Sequence, residues 1–131
     1  MSLTVEQMYQ EIGSAALGVA QDLAGKLIVY SEVEDGVISA NIFYENLAGE
    51  VRYRFSPKRL EELIYSFWEQ WAAAPGNHEW RAMTYVIEGG KFNIDLTYPD
   101  QIDPDSDLSE RRPLVVKKHF GDMKIDYSQP K

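Results

Sequence analysis

The chain is predicted to fold as one α+β domain over residues 1–131, with an antiparallel five-stranded sheet and helices packed on one face. The expected order is α-β-β-β-α-β-β, followed by a short helix or an extended tail. Three observations predict this. Apolar residues recur at three- and four-residue intervals in two stretches and give way elsewhere to alternating or β-branched runs, so helical and strand periods are both present. Glu34-Asp35-Gly36 and Glu88-Gly89-Gly90 join neighbouring strand-like runs through residues suited to positive φ, as tight antiparallel hairpins require. A chain of 131 residues with 44% apolar and 12% aromatic content is also the size of one domain with a sizeable core.

The first helix starts at Thr4-Val5-Glu6-Gln7, where Thr4 accepts from a free backbone N–H and Gln7 reaches back in a capping box. Val5, Met8, Tyr9, Ile12, Ala15, Ala16, Val19 and Leu23 form its apolar stripe, and Gly25 is the expected stop. From Lys26 the period changes, and Leu27-Ile28-Val29-Tyr30 begins the first strand. The second strand, Val37 to Tyr44, places Ile38, Ala40, Ile42 and Tyr44 on one face. Asn46-Leu47-Ala48-Gly49 turns it into the two-faced Val51-Arg52-Tyr53-Arg54-Phe55, whose arginines are placed to pair with acids on a neighbouring strand. Ser56-Pro57 is expected to cap and start a second helix, with Pro57 at its first position. Leu60, Leu63, Ile64, Phe67 and Trp71 make its buried stripe, and Trp68 and Trp71 share a side. Residues 72–77 read as a loop. A fourth strand from Trp80 to Ile87 and a fifth from Lys91 to Tyr98 follow, with Phe92, Ile94, Leu96 and Tyr98 on one face of the fifth. Phe92 and Ile94 are expected to meet Leu63 and Phe67 in one core.

A net charge of −8 sets the chain against direct nucleic-acid binding, which needs clustered Lys and Arg to displace counterions from phosphates. The same charge steers encounters with a basic surface, besides favouring solubility. Without cysteine, disulfides, thiolate metal sites and cysteine nucleophiles are excluded, which suits a reducing cytoplasm. No apolar run approaches membrane-spanning length, and no basic segment followed by an apolar one opens the chain, so neither a membrane anchor nor a signal peptide is expected.

Candidate site residues are mostly carboxylates. In the loop from Asp100 to Glu110, Asp103, Asp105 and Asp107 match the first three ligands of a calcium loop. Leu108 then stands where such a loop needs glycine and Leu114 where it needs a bidentate glutamate, so no metal is expected; Asp107 or Ser109 is free to cap the next segment. Glu32, Glu34 and Asp35 on the first hairpin form a second acidic edge. The candidate partner surface is therefore Glu32, Glu34, Asp35, Asp100, Asp103, Asp105 and Asp107. His78 and His119 are the only histidines, at no metal-ligating spacing, and nucleophile elbows, phosphate loops and dinucleotide fingerprints are absent. No catalytic residue and no cofactor are expected. Two other readings remain: an enzyme using His78 or His119, and a homo-oligomer whose sheet edge pairs with its twin.

Met83-Thr84-Tyr85, then Gly90-Lys91-Phe92-Asn93-Ile94-Asp95-Leu96-Thr97-Tyr98, an acidic connection and Ser109-Glu110-Arg111-Arg112 give the chain a resemblance to the C-terminal half of the YezG-like immunity proteins. These are small bacterial antitoxins that neutralise polymorphic toxins, many of them nucleases. The resemblance implies a cytoplasmic protein that binds a cognate toxin domain and blocks its active or substrate-binding surface. It also implies that Ser109-Glu110-Arg111-Arg112 fixes the last segment against the sheet. Pro113, followed by Leu114-Val115-Val116, departs from the continuous amphipathic helix that the family pattern implies there.

Overall fold

The computed structural model describes residues 4–34 and 36–127. Its elements are α1 (Val5–Leu17), β1 (Leu23–Glu34), β2 (Val37–Asn46), β3 (Val51–Phe55), α2 (Lys58–Ala73), β4 (Ala82–Glu88), β5 (Lys91–Thr97), α3 (Leu108–Phe120) and β6 (Ile125–Asp126). The sheet order is β5-β4-β1-β2-β3-β6. The α+β class is as predicted, and the five expected strands pair antiparallel. The sixth strand was not expected: β6 adds two residues parallel to β3, too few for any periodicity to announce them. It sets Asp126 beside Arg52, whose guanidinium bonds it at 3.0 Å, so Arg52 does pair with an acid on its neighbouring strand.

Helices on one face only is the second expectation to be corrected. α1 and α2 cover one face, where Met8, Ile12, Leu60, Ile64 and Phe67 pack on Leu27, Val29, Ile42, Tyr44 and Met83. α3 covers the other, where Val116 and Phe120 pack on Ile28, Phe43, Val51 and Tyr53. The physical reason lies in the central strands. A run such as Leu27-Ile28-Val29-Tyr30 is apolar on both sides of the pleat, so each side needs a cover.

The capping box at Thr4 and Gln7 forms as read, at 2.9 and 3.1 Å. α1 ends at Leu17, not at Gly25, with the Gly18 N–H donating to Ser14. Val19 and Leu23 still pack against the core, but from non-helical backbone, and so they extended the apparent stripe. Gly25 lies inside β1, where the register with β2 slips between Leu23 and Leu27. A Cβ there would stand 2.5 Å from a Glu45 carboxylate oxygen. Pro57 is the N-cap of α2 and not its first residue, and it offers no side-chain cap bond; the Ser56 hydroxyl instead donates to Glu61 at 2.8 Å. The predicted α2 stripe is buried, with Trp71 half-buried beside it.

Gly89 and Gly90 both take positive φ, 60° and 78°, closing the two-residue hairpin between β4 and β5. Ile94, Leu96 and Tyr98 pack on the α1–α2 core, so the predicted phase of β5 holds. Phe92 is not a core residue: it is 47% exposed, stacked on Tyr85 with ring centroids 5.5 Å apart, because β5 lies at the sheet's edge. α3 runs unbroken through Pro113. The proline deprives Ser109 of one ladder bond, but Asp107 caps the helix start and Arg111, Arg112 and Val116 hold it to the sheet on both sides of the ring. Among the described residues no helix is long and apolar enough to cross a membrane.

Candidate partner-binding cleft

Alternation along β1 sends Ile28, Tyr30 and Glu32 to the α3 side of the sheet, beside Asn41 and Phe43 of β2 and Thr84 and Val86 of β4. β1 is flanked by strands on both sides, so Glu32 is 4% exposed and must find partners inside the fold. It finds four donors. Oε1 accepts from Arg81 Nη1 at 2.8 Å and Arg111 Nη2 at 2.6 Å, and Oε2 accepts from Arg111 Nε at 2.9 Å and the Tyr30 hydroxyl at 2.5 Å. Those bonds fill the acceptor positions of a carboxylate. Burial alone would raise the Glu32 carboxyl, but the bonds from Arg111, Tyr30 and Arg81 outweigh it and hold the group below its ordinary value. Burial and the adjacent Glu32 push the Tyr30 hydroxyl far up, so it stays a donor.

The two arginines extend this centre outwards. Arg81 also donates to Glu34 at 2.6 Å, and Arg111 Nη1 donates to the backbone and hydroxyl oxygens of Ser106 at 2.7 and 2.8 Å. Arg112 donates to Asn41 at 2.9 Å and lies over the Tyr53 ring, 6.0 Å from its centroid. The motif Ser109-Glu110-Arg111-Arg112 thus ties α3 to β1 and β2. The Asp107 carboxylate caps α3, accepting from the Glu110 N–H at 3.1 Å. Its pKa is lowered, chiefly by the Ser109 hydroxyl.

Arg111 therefore draws the acidic loop towards the tip of the first hairpin. The result is an open cleft of about 740 Å³ between Glu34, Val37 and Ser39 on one side and Ile102, Asp103, Asp107 and Leu108 on the other, with Glu32, Arg81 and Arg111 at its base. Four carboxylates line it against two guanidiniums. Both guanidiniums are engaged by Glu32 and Glu34, so negative charge is left on the Asp103–Asp107 wall.

The predicted residues divide accordingly. Glu34, Asp103 and Asp107 come together at the cleft from distant parts of the chain. Asp100 and Asp105 are exposed on the same loop, and the Asp105 N–H donates to Asp103 at 2.9 Å. Asp35 lies outside the described residues. Glu32 does not belong to an exposed acidic edge: it is the buried anion that organises the cleft. Sequence reasoning missed that role, although a carboxylate in a run of buried β1 residues was a signal for an ion pair. Asp103, Asp105 and Asp107 do not converge, since one bonds a backbone N–H and another caps a helix; among the described residues no group of three His, Asp or Glu gathers to hold a metal.

The histidines sit elsewhere. His78 is exposed in the loop between α2 and β4 beside exposed Glu79. His119 lies on α3, lining a groove of about 460 Å³ between that helix and β4–β5, and burial with Lys26 and Lys118 nearby lowers its pKa. No protein-family model matches the chain and no curated protein matches it, so the resemblance to YezG-like proteins rests on the residues quoted for it.

Proposed function

We propose that the chain is an immunity-type binding protein that neutralises a cognate toxin domain, such as a nuclease, by covering its basic active or substrate-binding surface. The observation that carries this reading is the meeting of the hairpin tip and the acidic loop at one cleft whose arginines are already paired. A nuclease surface is basic because its substrate is a polyanion, and a rim of carboxylates imitates that charge. The net charge of −8 adds long-range attraction for the same partner. The protein acts in the cytoplasm, by binding and not by catalysis. Capture of partners on the tagged chain from its source cells, followed by expression of what is retained, tests the reading. The expected partner is a basic domain that arrests growth when expressed alone and is harmless when coexpressed with this chain. A retained partner whose toxicity the chain does not relieve would contradict it.

A further inference from the structure

Among the described residues β5 ends the sheet and pairs with β4 alone. Its register with β4 is unbroken from Ala82↔Thr97 to Glu88↔Lys91, and it contains no proline or bulge of the kind that blunts sheet edges. The direction of its free backbone groups follows from the next ladder inwards. The Val33 N–H donates to the Arg81 carbonyl at 3.0 Å, and antiparallel bonds alternate, so Met83, Tyr85 and Ile87 bond β1 while Ala82, Thr84, Val86 and Glu88 bond β5. Lys91, Asn93, Asp95 and Thr97 therefore spend their backbone groups on β4. Phe92, Ile94 and Leu96 direct theirs outwards.

We propose that β5 is a dimerisation edge. Two copies pair their β5 strands antiparallel about a two-fold axis through Asn93, with each Lys91 opposite Asp95 of the other. Outward backbone groups must face outward groups, which leaves only a few registers. The register that sets Phe92 opposite Ile94 brings Lys91 opposite Asp95, and the two-fold makes that ion pair twice. Neighbouring registers set Lys91 against Asn93 or Thr97, or Asp95 against its own twin. Lys91 and Asp95 are both exposed and have no ion-pair partner among the described residues. On the opposite face the same register makes two Phe92–Ile94 contacts, an aromatic against a β-branched side chain, and covers a ring that is 47% exposed in the single chain. Both faces of the strand are thus self-complementary in one register. The acidic cleft involves other elements, so this inference and the proposed function fail separately.

The chain has no cysteine, so Asn93→Cys supplies a single thiol. Twin residues in a non-hydrogen-bonded antiparallel pair have Cα atoms about 4.5 Å apart, within reach of a disulfide. Mild oxidation of the full-length variant is expected to give a covalent dimer. Thr97→Cys, which lies roughly 25 Å from its twin in this register, is expected to stay monomeric. In sedimentation equilibrium, Lys91→Asp and Asp95→Lys should each weaken self-association by about tenfold or more, since two attractive cross-strand pairs become repulsive. The double variant should recover it, and an equimolar mixture of the two single variants should form a heterodimer. A monomeric parent chain, equal oxidation at positions 93 and 97, or self-association unchanged by the single reversals would overturn the proposal.

Discussion

Where α1 and α2 meet the sheet, Ile12, Leu60, Ile64, Phe67 and Trp80 are buried to 1% exposure or less, and Phe67 touches the rings of Tyr9, Trp71 and Trp80. Where α3 meets the opposite face, the helix buries only Val116 and Phe120, and its placement is completed by Arg111 on Glu32 and Arg112 on Asn41. Apolar contact is non-directional and sums over many atoms, whereas a bidentate guanidinium fixes an orientation and depends on the charge of its partner. One sheet therefore carries a face held by volume and a face held by geometry. The acidic cleft lies on the second, so its shape depends on a few hydrogen bonds, as functional surfaces drawn from less stable regions often do.

The largest test of the contrast is truncation on the first face. Phe67→Ala should cost about 3–5 kcal/mol in denaturant unfolding, the range for large aromatic side chains in cores. Glu32→Gln, on the second face, should cost about 2–3 kcal/mol, because it leaves the Arg111 guanidinium without its anion and Arg81 with the exposed Glu34 alone, while the 15% exposure of both arginines lets water relieve part of the loss. Hydrogen exchange separates the two cases: Glu32→Gln should release α3 amides while α2 amides stay protected. Equal loss in α2 and α3 would show that the faces are not distinct.

Acid should reproduce the Glu32 effect. The Glu32 carboxyl is held below its ordinary value of 4.5, so its contribution is complete above that pH and is lost as pH falls through the lower folded value. Trp68, Trp71 and Trp80 all lie in the α1–α2 layer, so their fluorescence follows that face alone. On acidification below about pH 4.5, protection of α3 amides should fall before tryptophan emission shifts. Simultaneous loss would sink this part of the account. The smallest effect belongs to Arg112→Lys, which keeps the charge but loses the planar fork on Asn41 and the stacking over Tyr53. It should cost about 1 kcal/mol, read from the denaturant midpoint.

The contrast also separates what the sequence discloses from what it hides. The first face was legible because its signals are local: Leu60, Leu63, Ile64 and Phe67 recur at helical spacing, and Gly89-Gly90 can hardly be anything but a primed turn. Leu27-Ile28-Val29-Tyr30 already carried the sign of a strand covered twice. The second face rests on partners separated by 49 and 79 residues, Arg81 and Arg111 on Glu32, and no spacing rule connects them. Glu32 and Glu34 look alike in a hairpin, yet strand position buries one and exposes the other. Pro113 was misleading for a related reason, since a local penalty yields when tertiary bonds secure the helix on both sides. Of the candidate site, the sequence disclosed the charge of its walls but not the buried anion that brings them together.

The most direct test of the acidic loop that walls the cleft as the partner surface is an association rate. With the partner domain recovered by capture, stopped-flow kinetics should compare Asp100→Lys/Asp103→Lys/Asp105→Lys with Glu11→Lys/Glu62→Lys/Glu69→Lys. The first set leaves the Asp107 cap intact, and the second places the same charge change on the exposed faces of α1 and α2. Loss of the loop carboxylates is predicted to slow association by about tenfold or more while dissociation changes little, because exposed rim charges steer the encounter more than they hold the complex. The helix set should act much more weakly. Equal slowing by both sets, or no slowing by the first, would contradict the account.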